Sequence, residues 1–319
     1  MRLKFLLPFG LIQERWHTDR KFFMEKAREL GAEAVMQMAA YDEVAREITG
    51  GNLQNRAIDV LVVVPSNDVY TAAVIDAARG KGVPVIVYDK MVEGCNPDLY
   101  LSFDNIQVGH LQAEYLVKRV PKGDYVVIGG PKGDPNAKWY RQGQMEILKP
   151  FLDRFDIKIV EDQAAKDWLP LEGLRITREA LAKTGGKLDA VLASNDGVAG
   201  GALQALSGAP LSARIPVTGQ DADLAACQRI AQGSQLMTVY KPIKRLAIAA
   251  AEAAVALAKK EPLPGMVTKF LNGHTMVPAI LLDPIAVERT NLVTTVVADG
   301  FHSETDVFID STPPNRLSP

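Results

Sequence analysis

The chain reads as an α/β protein of two similar domains, each a parallel sheet with helices on both faces. Three observations predict this. Short apolar runs alternate with amphipathic helical stretches along the chain, the pattern of right-handed βαβ units. At 319 residues, with 47% apolar and 23% charged content, the chain is long enough for two cores and too long for one ordinary domain. The segment Ile58 to Ala78, IDVLVVVPSNDVYTAAVIDAA, is followed about 130 positions later by LDAVLASNDGVAGGALQAL, Leu188 to Leu206, which points to a duplication. GVPVIVYDK (Gly82 to Lys90) is echoed by RIPVTGQDAD (Arg214 to Asp223), and the opening MRLKFLLPFG by GDYVVIGGPKG (Gly123 to Gly133). Two similar halves facing each other would enclose a cleft.

The elements follow in order. A first strand at Leu3 to Leu7 ends at Pro8 and Gly10, and a βα loop carrying Glu14, Arg15 and Trp16 leads to a helix with Phe23, Ala27 and Leu30 on one face. A strand near Ala34 to Met38 and a helix around Val44 and Ile48 precede the strand Val60 to Val64, after which Ser66, Asn67 and Asp68 offer helix caps. Strand Pro84 to Tyr88 ends at Asp89 and Lys90, and a strand near Tyr100 to Phe103 runs into Asp104 and Asn105, which can cap the next helix. The second half repeats the plan with strands at Tyr125 to Ile128, Ile157 to Glu161, Ala190 to Ala193, Pro216 to Thr218 and Leu236 to Val239. Helices are expected at Ala137 to Leu152, at Leu171 to Leu181 and after Pro242. Val267 to Ile285 reads as extended segments with loops, and STPPNRLSP as a loose tail.

Composition narrows the function. Lys plus Arg 36 against Asp plus Glu 38 gives a formal charge of −2, so a nucleic-acid partner has no electrostatic footing. Cys95 and Cys227 lack CxxC spacing, and His17, His110, His274 and His302 lack metal-ligand spacing, so neither metal nor cofactor is expected. No run of apolar residues is long enough to span a bilayer. GGPKGDPN resembles a phosphate loop in placement but matches neither GxGxxG nor GxxxxGK[ST], and reads as a turn.

In open α/β sheets ligands bind beyond the carboxyl ends of the strands. The candidates there are Arg15, Trp16, Asp89, Lys90, Asn136, Trp168, Asn195, Asp221 and Lys241. They combine acceptors, donors and two large rings, without a nucleophile and its base. A sugar needs this mixture, because its hydroxyls seek polar partners while its C–H faces pack on aromatic planes. Blander readings stand beside this one. Either tryptophan can be ordinary packing, Asn195 can simply cap a helix, and Asp89 and Asp221 can be turn residues. Lys241 precedes a helix start, where a cation is disfavoured, so it needs a partner other than the helix.

With these residues laid out, the chain resembles the periplasmic sugar-binding proteins of ABC transporters, of the ribose and xylose class. The likeness runs along nearly the whole chain. It rests on ERW (Glu14 to Trp16), the pair Tyr88 and Asp89, SFDN (Ser102 to Asn105), NAK (Asn136 to Lys138) with Arg141, and WLP (Trp168 to Pro170). It continues through SND with AGGALQALS (Ser194 to Ser207), GQDADLA (Gly219 to Ala225), MTVYKPI (Met237 to Ile243) and DGFH (Asp299 to His302). The resemblance implies a type I periplasmic binding protein fold: two Rossmann-like lobes joined by a three-segment hinge. The lobes would be residues 1–105 with 241–277, and 106–240 with 278–310, followed by a tail at 311–319. It also adds Arg141 to the sugar-binding set and makes Trp16 and Trp168 the clamp on the ring. Lys90 stands where such proteins commonly have Arg, which replaces a planar fork by a compact ammonium.

The expected function is that of an extracytoplasmic, non-enzymatic receptor. It would capture a monosaccharide, D-xylose first among the pyranoses, and deliver it as a monomer to a membrane permease. An export signal would have been removed ahead of Met1. Three rivals remain: a receptor signalling to a membrane histidine kinase, a repressor-like sensor core for which no helix-turn-helix precedes the first strand, and a glycosidase using Asp89 and Asp221.

Overall fold

The computed structural model describes residues 1–8, 14–40, 58–65, 68–207, 215–273 and 275–313. The chain divides into unit 1, Met1–Phe103 with Pro242–Leu282, and unit 2, Asp104–Lys241 with Asp283–Pro319. The last passage between units falls after Leu282 and not near Val277. The reason is pairing: Met276–Leu282 forms a strand beside Leu99–Phe103, with Ala279 opposite Tyr100 and Leu282 opposite Phe103.

Unit 1 contains β1 (Arg2–Pro8), β2 (Glu33–Ala39), β3 (Val60–Val63), β4 (Val85–Tyr88) and β5 (Leu99–Phe103). Its late strands are β10 (Thr268–Leu271) and β11 (Met276–Leu282), and the sheet order is β10-β11-β5-β4-β3-β1-β2. All neighbours are parallel except β10, which the short connection to β11 forces into an antiparallel hairpin. The sheet is thus mainly parallel, as expected, with an antiparallel strand at that edge.

β3 and β4 are buried along their whole length, which is why they read as unbroken apolar runs. Alternate residues serve opposite faces. Leu3, Phe5, Val60, Val62, Ile86 and Tyr88 pack with α1 (Glu14–Glu29) and α8 (Ile243–Lys259) through Phe23, Ala27, Leu246 and Ala250. Leu61, Val63, Val85 and Val87 pack with α2 (Asp68–Gly80) through Val74, Ile75 and Ala78. Trp16 lies in the first turn of α1 and not in a loop, because the helix already begins at Glu14. The helix expected around Val44 and Ile48, and the loop between Pro8 and Glu14, lie outside the described residues.

In unit 2, β6 (Gly123–Gly129), β7 (Ile157–Ala164) and β8 (Ala190–Ala193) form a parallel sheet in the order β7-β6-β8. The strand expected at Pro216 to Thr218 is reduced to one parallel bridge, Val217 to Val191. β9 (Thr238–Tyr240) pairs antiparallel with β12 (Ile285–Val287), so this unit too departs from all-parallel pairing.

Val126, Ile128, Val191 and Ala193 meet α5 (Pro170–Lys183) and α6 (Asp196–Leu206) through Ile176, Ala180, Val198 and Ala202. Tyr125, Val127, Ala190 and Leu192 meet α3 (Asn105–Arg119) and α4 (Pro135–Asp153) through Ala113, Leu116 and Leu148. Among the described residues, unit 2 also has α7 (Leu224–Gln232), a π-helical turn at Val293–Val297 and the short α9 (Glu304–Val307). α3 and α4 cross closely at Gly109, where a Cβ would lie 2.1 Å from the Tyr140 carbonyl oxygen and 2.7 Å from the Gln144 nitrogen. Both obstacles are backbone, so the helices would have to part. Gly109→Ala is expected to cost about 1–3 kcal/mol, read as a lower urea midpoint for unit 2; an unchanged midpoint would mean that the crossing is not tightly packed.

Candidate functional site

In unit 1 the carboxyl end of β4 delivers Asp89, a residue 2% exposed with φ 70°. Left-handed backbone is costly for a residue with a side chain, though Asp tolerates it better than most. The neighbouring strand holds it there: its N–H donates to the Leu101 carbonyl at 2.9 Å, and its carbonyl accepts from the Ser102 hydroxyl at 2.7 Å and the Tyr100 hydroxyl at 3.4 Å. Tyr88 donates its hydroxyl to the buried Asp19 carboxylate of α1. Trp16 is 5% exposed within the main apolar cluster of the unit, so it carries at least the packing role that the sequence left open. Lys90 is partly buried, with its N–H on the Tyr88 carbonyl at 2.9 Å. The Arg15 side chain lies outside the described ones.

Unit 2 brings five of its six candidates into one connected group. Lys241 is 7% exposed, and its Nζ stands 3.4 Å from Asp221 Oδ1 and 3.2 Å from the Tyr140 hydroxyl, to which it donates. The partner that its position ahead of α8 demanded is thus Asp221, aided by Tyr140. The Tyr140 ring meets Trp168 edge-on at 6.4 Å between centroids. Trp168 donates Nε1–H to Asp134 Oδ2 at 3.2 Å, and Gly130 makes room for it: a Cβ there would be 2.0 Å from the indole. Asn136, on the same helix one turn before Tyr140, is 4% exposed and accepts from Asn105 Nδ2 at 3.0 Å. Asn195 caps α6 by accepting from the Val198 N–H at 2.9 Å, while its amide donates to the Trp168 carbonyl at 3.4 Å.

The sixth candidate, Arg141, keeps one guanidinium nitrogen, Nη1, buried without a hydrogen-bond partner among the described residues. Its guanidinium pairs with the Asp162 carboxylate of β7. The Asp162 partner is invisible in sequence because it lies on a different element. Among the described residues no cluster of His, Cys, Asp and Glu is arranged to hold a metal ion.

A match to the periplasmic binding protein domain spans residues 6–262. The chain belongs to the periplasmic binding protein family. It is 47% identical over 294 residues to the D-xylose-binding periplasmic protein of Escherichia coli K12, covering 92% of this chain and 89% of the relative. It is 45% identical over 295 residues to the protein so named from Haemophilus influenzae, again covering 92% and 89%. Among solved structures, the ABC transporter solute-binding protein of Clostridium phytofermentans with bound β-D-glucose superimposes with a TM-score of 0.81 at 26% identity, covering 96% of this chain and 100% of that one. The fold is the type I periplasmic binding fold, and the relatives are binding proteins rather than enzymes. Among the described residues no helix is long and apolar enough to cross a membrane.

Two members of the group in this periplasmic binding protein escaped sequence reasoning. Tyr140 sits in a helix where an aromatic residue reads as core; the only signal was its spacing of four from Asn136, which puts both on one face. Asn105 was visible only as half of a capping pair. Asp104 does the capping, accepting from the Ile106 and Gln107 N–H groups, which leaves Asn105 for Asn136.

Two carboxyl groups near Asp221 are shifted from their ordinary range. Burial pushes the Asp196 carboxyl well above its ordinary value, the carboxylates of Asp223 and Asp221 push the same way, and hydrogen bonds from Thr238 and Gln235 oppose them. Asp223 reaches the surface as a residue, yet displacement of water from its carboxyl, reinforced by Asp221 and opposed by Arg229, raises it to about 6. A raised carboxyl holds its proton more tightly in the folded state, so its contribution to stability is greatest below the ordinary carboxylate range and is lost as pH rises through about 6. Asp223→Asn is therefore expected to gain stability relative to the parent between about pH 4 and about pH 7, measured by urea unfolding at each pH. A pH-independent difference would remove Asp223 from this titration.

Proposed function

We propose that this chain captures a neutral monosaccharide, D-xylose first among the pyranoses, between its two units and hands it to the membrane permease of an ABC transporter. The observation that carries the reading is the connected group Asn136, Tyr140, Trp168, Asp221 and Lys241, in which an aromatic face lies beside a paired ammonium and carboxylate and a buried amide. A pyranose offers C–H faces to the first and hydroxyls, each both donor and acceptor, to the rest. The relatives named for D-xylose at 45% and 47% identity support the choice of sugar.

The proposed ligand set is Arg15, Trp16, Asp89 and Lys90 from unit 1 with Asn136, Arg141, Trp168, Asn195, Asp221 and Lys241 from unit 2; Arg141 pairs with Asp162 through one nitrogen and has Nη1 buried and without a partner among the described residues. A sugar contacting both units stabilises the closed arrangement alone, so binding and closure are one equilibrium, and the permease reads the closed form. The protein would act as a monomer outside the cytoplasm, with no nucleic-acid partner.

Isothermal titration against D-xylose, D-glucose, D-ribose, L-arabinose and D-galactose, after unfolding and refolding to strip carried-over sugar, tests this. One-to-one binding with D-xylose tightest is expected, and the absence of binding to all five would overturn the ligand class. Asp89→Ala and Asp221→Ala should each weaken binding by about 1–3 kcal/mol, because each leaves a buried polar partner unmatched; unchanged affinity would remove that residue from the site.

A further inference from the structure

Asp196 is absent from the proposed ligand set, yet its carboxylate ties together three segments of unit 2. The residue is 2% exposed. Its Oδ1 accepts from the Gln235 side-chain amide at 2.9 Å, and its Oδ2 accepts from the Thr238 hydroxyl at 2.8 Å and from the Asp223 backbone N–H at 3.0 Å. Its own N–H donates to the Gln220 carbonyl at 2.9 Å, and its carbonyl accepts from Arg229 at 3.2 Å.

These contacts surround a turn that would not hold its shape unaided. Asp221 has φ 102° and Ala222 φ 55°, consecutive non-glycine residues in left-handed backbone. Such a pair persists only where its surroundings impose it. The Ala222 N–H donates to the Thr238 hydroxyl at 3.2 Å, which itself donates to Asp196, and the Asp221 N–H donates to the Val239 carbonyl at 2.9 Å. Gly219 is drawn so close that a Cβ there would stand 1.9 Å from Asp196 Oδ1. Anchored on both sides, the turn presents the Asp221 carboxylate to Lys241 at 3.4 Å.

We propose that Asp196 is a positioning residue for sugar binding, holding the turn from Gly219 to Asp223 in the left-handed form that sets Asp221 against Lys241. The inference rests on the proposed role of Asp221 as a sugar ligand, and two measurements separate the failure of one from the failure of the other.

Asp196→Asn keeps the size of the side chain but turns one acceptor oxygen into a donor that faces other donors. Amide hydrogen exchange in the sugar-free protein should show the Ala222 and Asp223 amides losing protection in this variant. Retained protection would overturn the positioning role whatever the ligand proves to be. D-Xylose titration of the parent, Asp196→Asn, Asp221→Ala and the double variant is the second measurement. Asp196→Asn should weaken binding about tenfold in the parent background and add nothing once Asp221 is Ala. A loss of equal size in both backgrounds would mean that Asp196 acts through general stability, and would overturn the proposal. Failure of the parent itself to bind any sugar would overturn the sugar-binding reading and the binding role of Asp196 with it, while the exchange result still decides whether Asp196 holds the turn. Should Asp196→Asn not fold, Thr238→Val removes the hydroxyl that links the Ala222 amide to Asp196, and the same cycle applies.

Discussion

Lys241 stands at the entry to α8 with only 7% of the residue open to solvent. A desolvated ammonium costs on the order of several kcal/mol unless charge and hydrogen bonds replace the lost water, and the adjacent helix N-terminus adds an unfavourable potential. The requirement for compensation reaches outward from this one group. Asp221 must supply a carboxylate and Tyr140 an oxygen, at 3.4 and 3.2 Å. Tyr140 stands on α4 where that helix passes closely by α3, its own carbonyl beside Gly109. The ring that carries the oxygen then gives Trp168 an edge to rest on, and the helix that carries the ring brings Asn136 to Asn105.

The two carboxylates at the heart of the proposal share a backbone peculiarity. Asp89 follows β4 with φ 70°, and Asp221 follows the segment bridged at Val217 with φ 102°. They occupy matching places in the duplicated stretches ending YDK and GQD. Glycine would adopt either conformation at less cost, so a carboxylate at both positions argues that the side chain is wanted there. In each case the fold meets the cost in the same way, by hydrogen bonds from the backbone N–H to a strand carbonyl: Leu101 for Asp89, Val239 for Asp221.

Much of this was legible in the sequence, and what was not has identifiable causes. The strands of both cores announced themselves because burial on two faces leaves unbroken apolar runs, as in VLVV and VIVY. Strand direction at the edges was hidden: β10 and β12 carry no composition that distinguishes antiparallel from parallel partners, and the pairing of β11 with β5 joins residues about 180 positions apart. Strand-end logic found Asp221 and Lys241, since position alone marks them. Arg141 entered through the family resemblance, and its tie to Asp162 on another element could not be read from the sequence. Tyr140 was missed for a similar reason: its polar partner Lys241 belongs to a distant segment, and without it the residue reads as core.

The pairing of Lys241 with Asp221 also bears on what kind of ligand the proposed site would accept. Three carboxyl groups, Asp196, Asp221 and Asp223, crowd the region; burial raises Asp196 and Asp223, and the neighbouring carboxylates add to it. Arg229 and Lys241 are the nearby cations, and both are engaged, Arg229 by Gln235 and the Asp196 carbonyl and Lys241 by Asp221. An anionic ligand such as a sugar phosphate or sugar acid would have to draw Lys241 away from Asp221, leaving that carboxylate uncompensated. A cationic ligand would face the reverse exchange with the ammonium. A hydroxyl can instead enter between the two charges, donating to the carboxylate while accepting from the ammonium, without breaking the balance of either. The electrostatics of unit 2 therefore favour a neutral polyhydroxylated ligand over a charged one of the same shape, and they do so through contacts that exist before any ligand arrives.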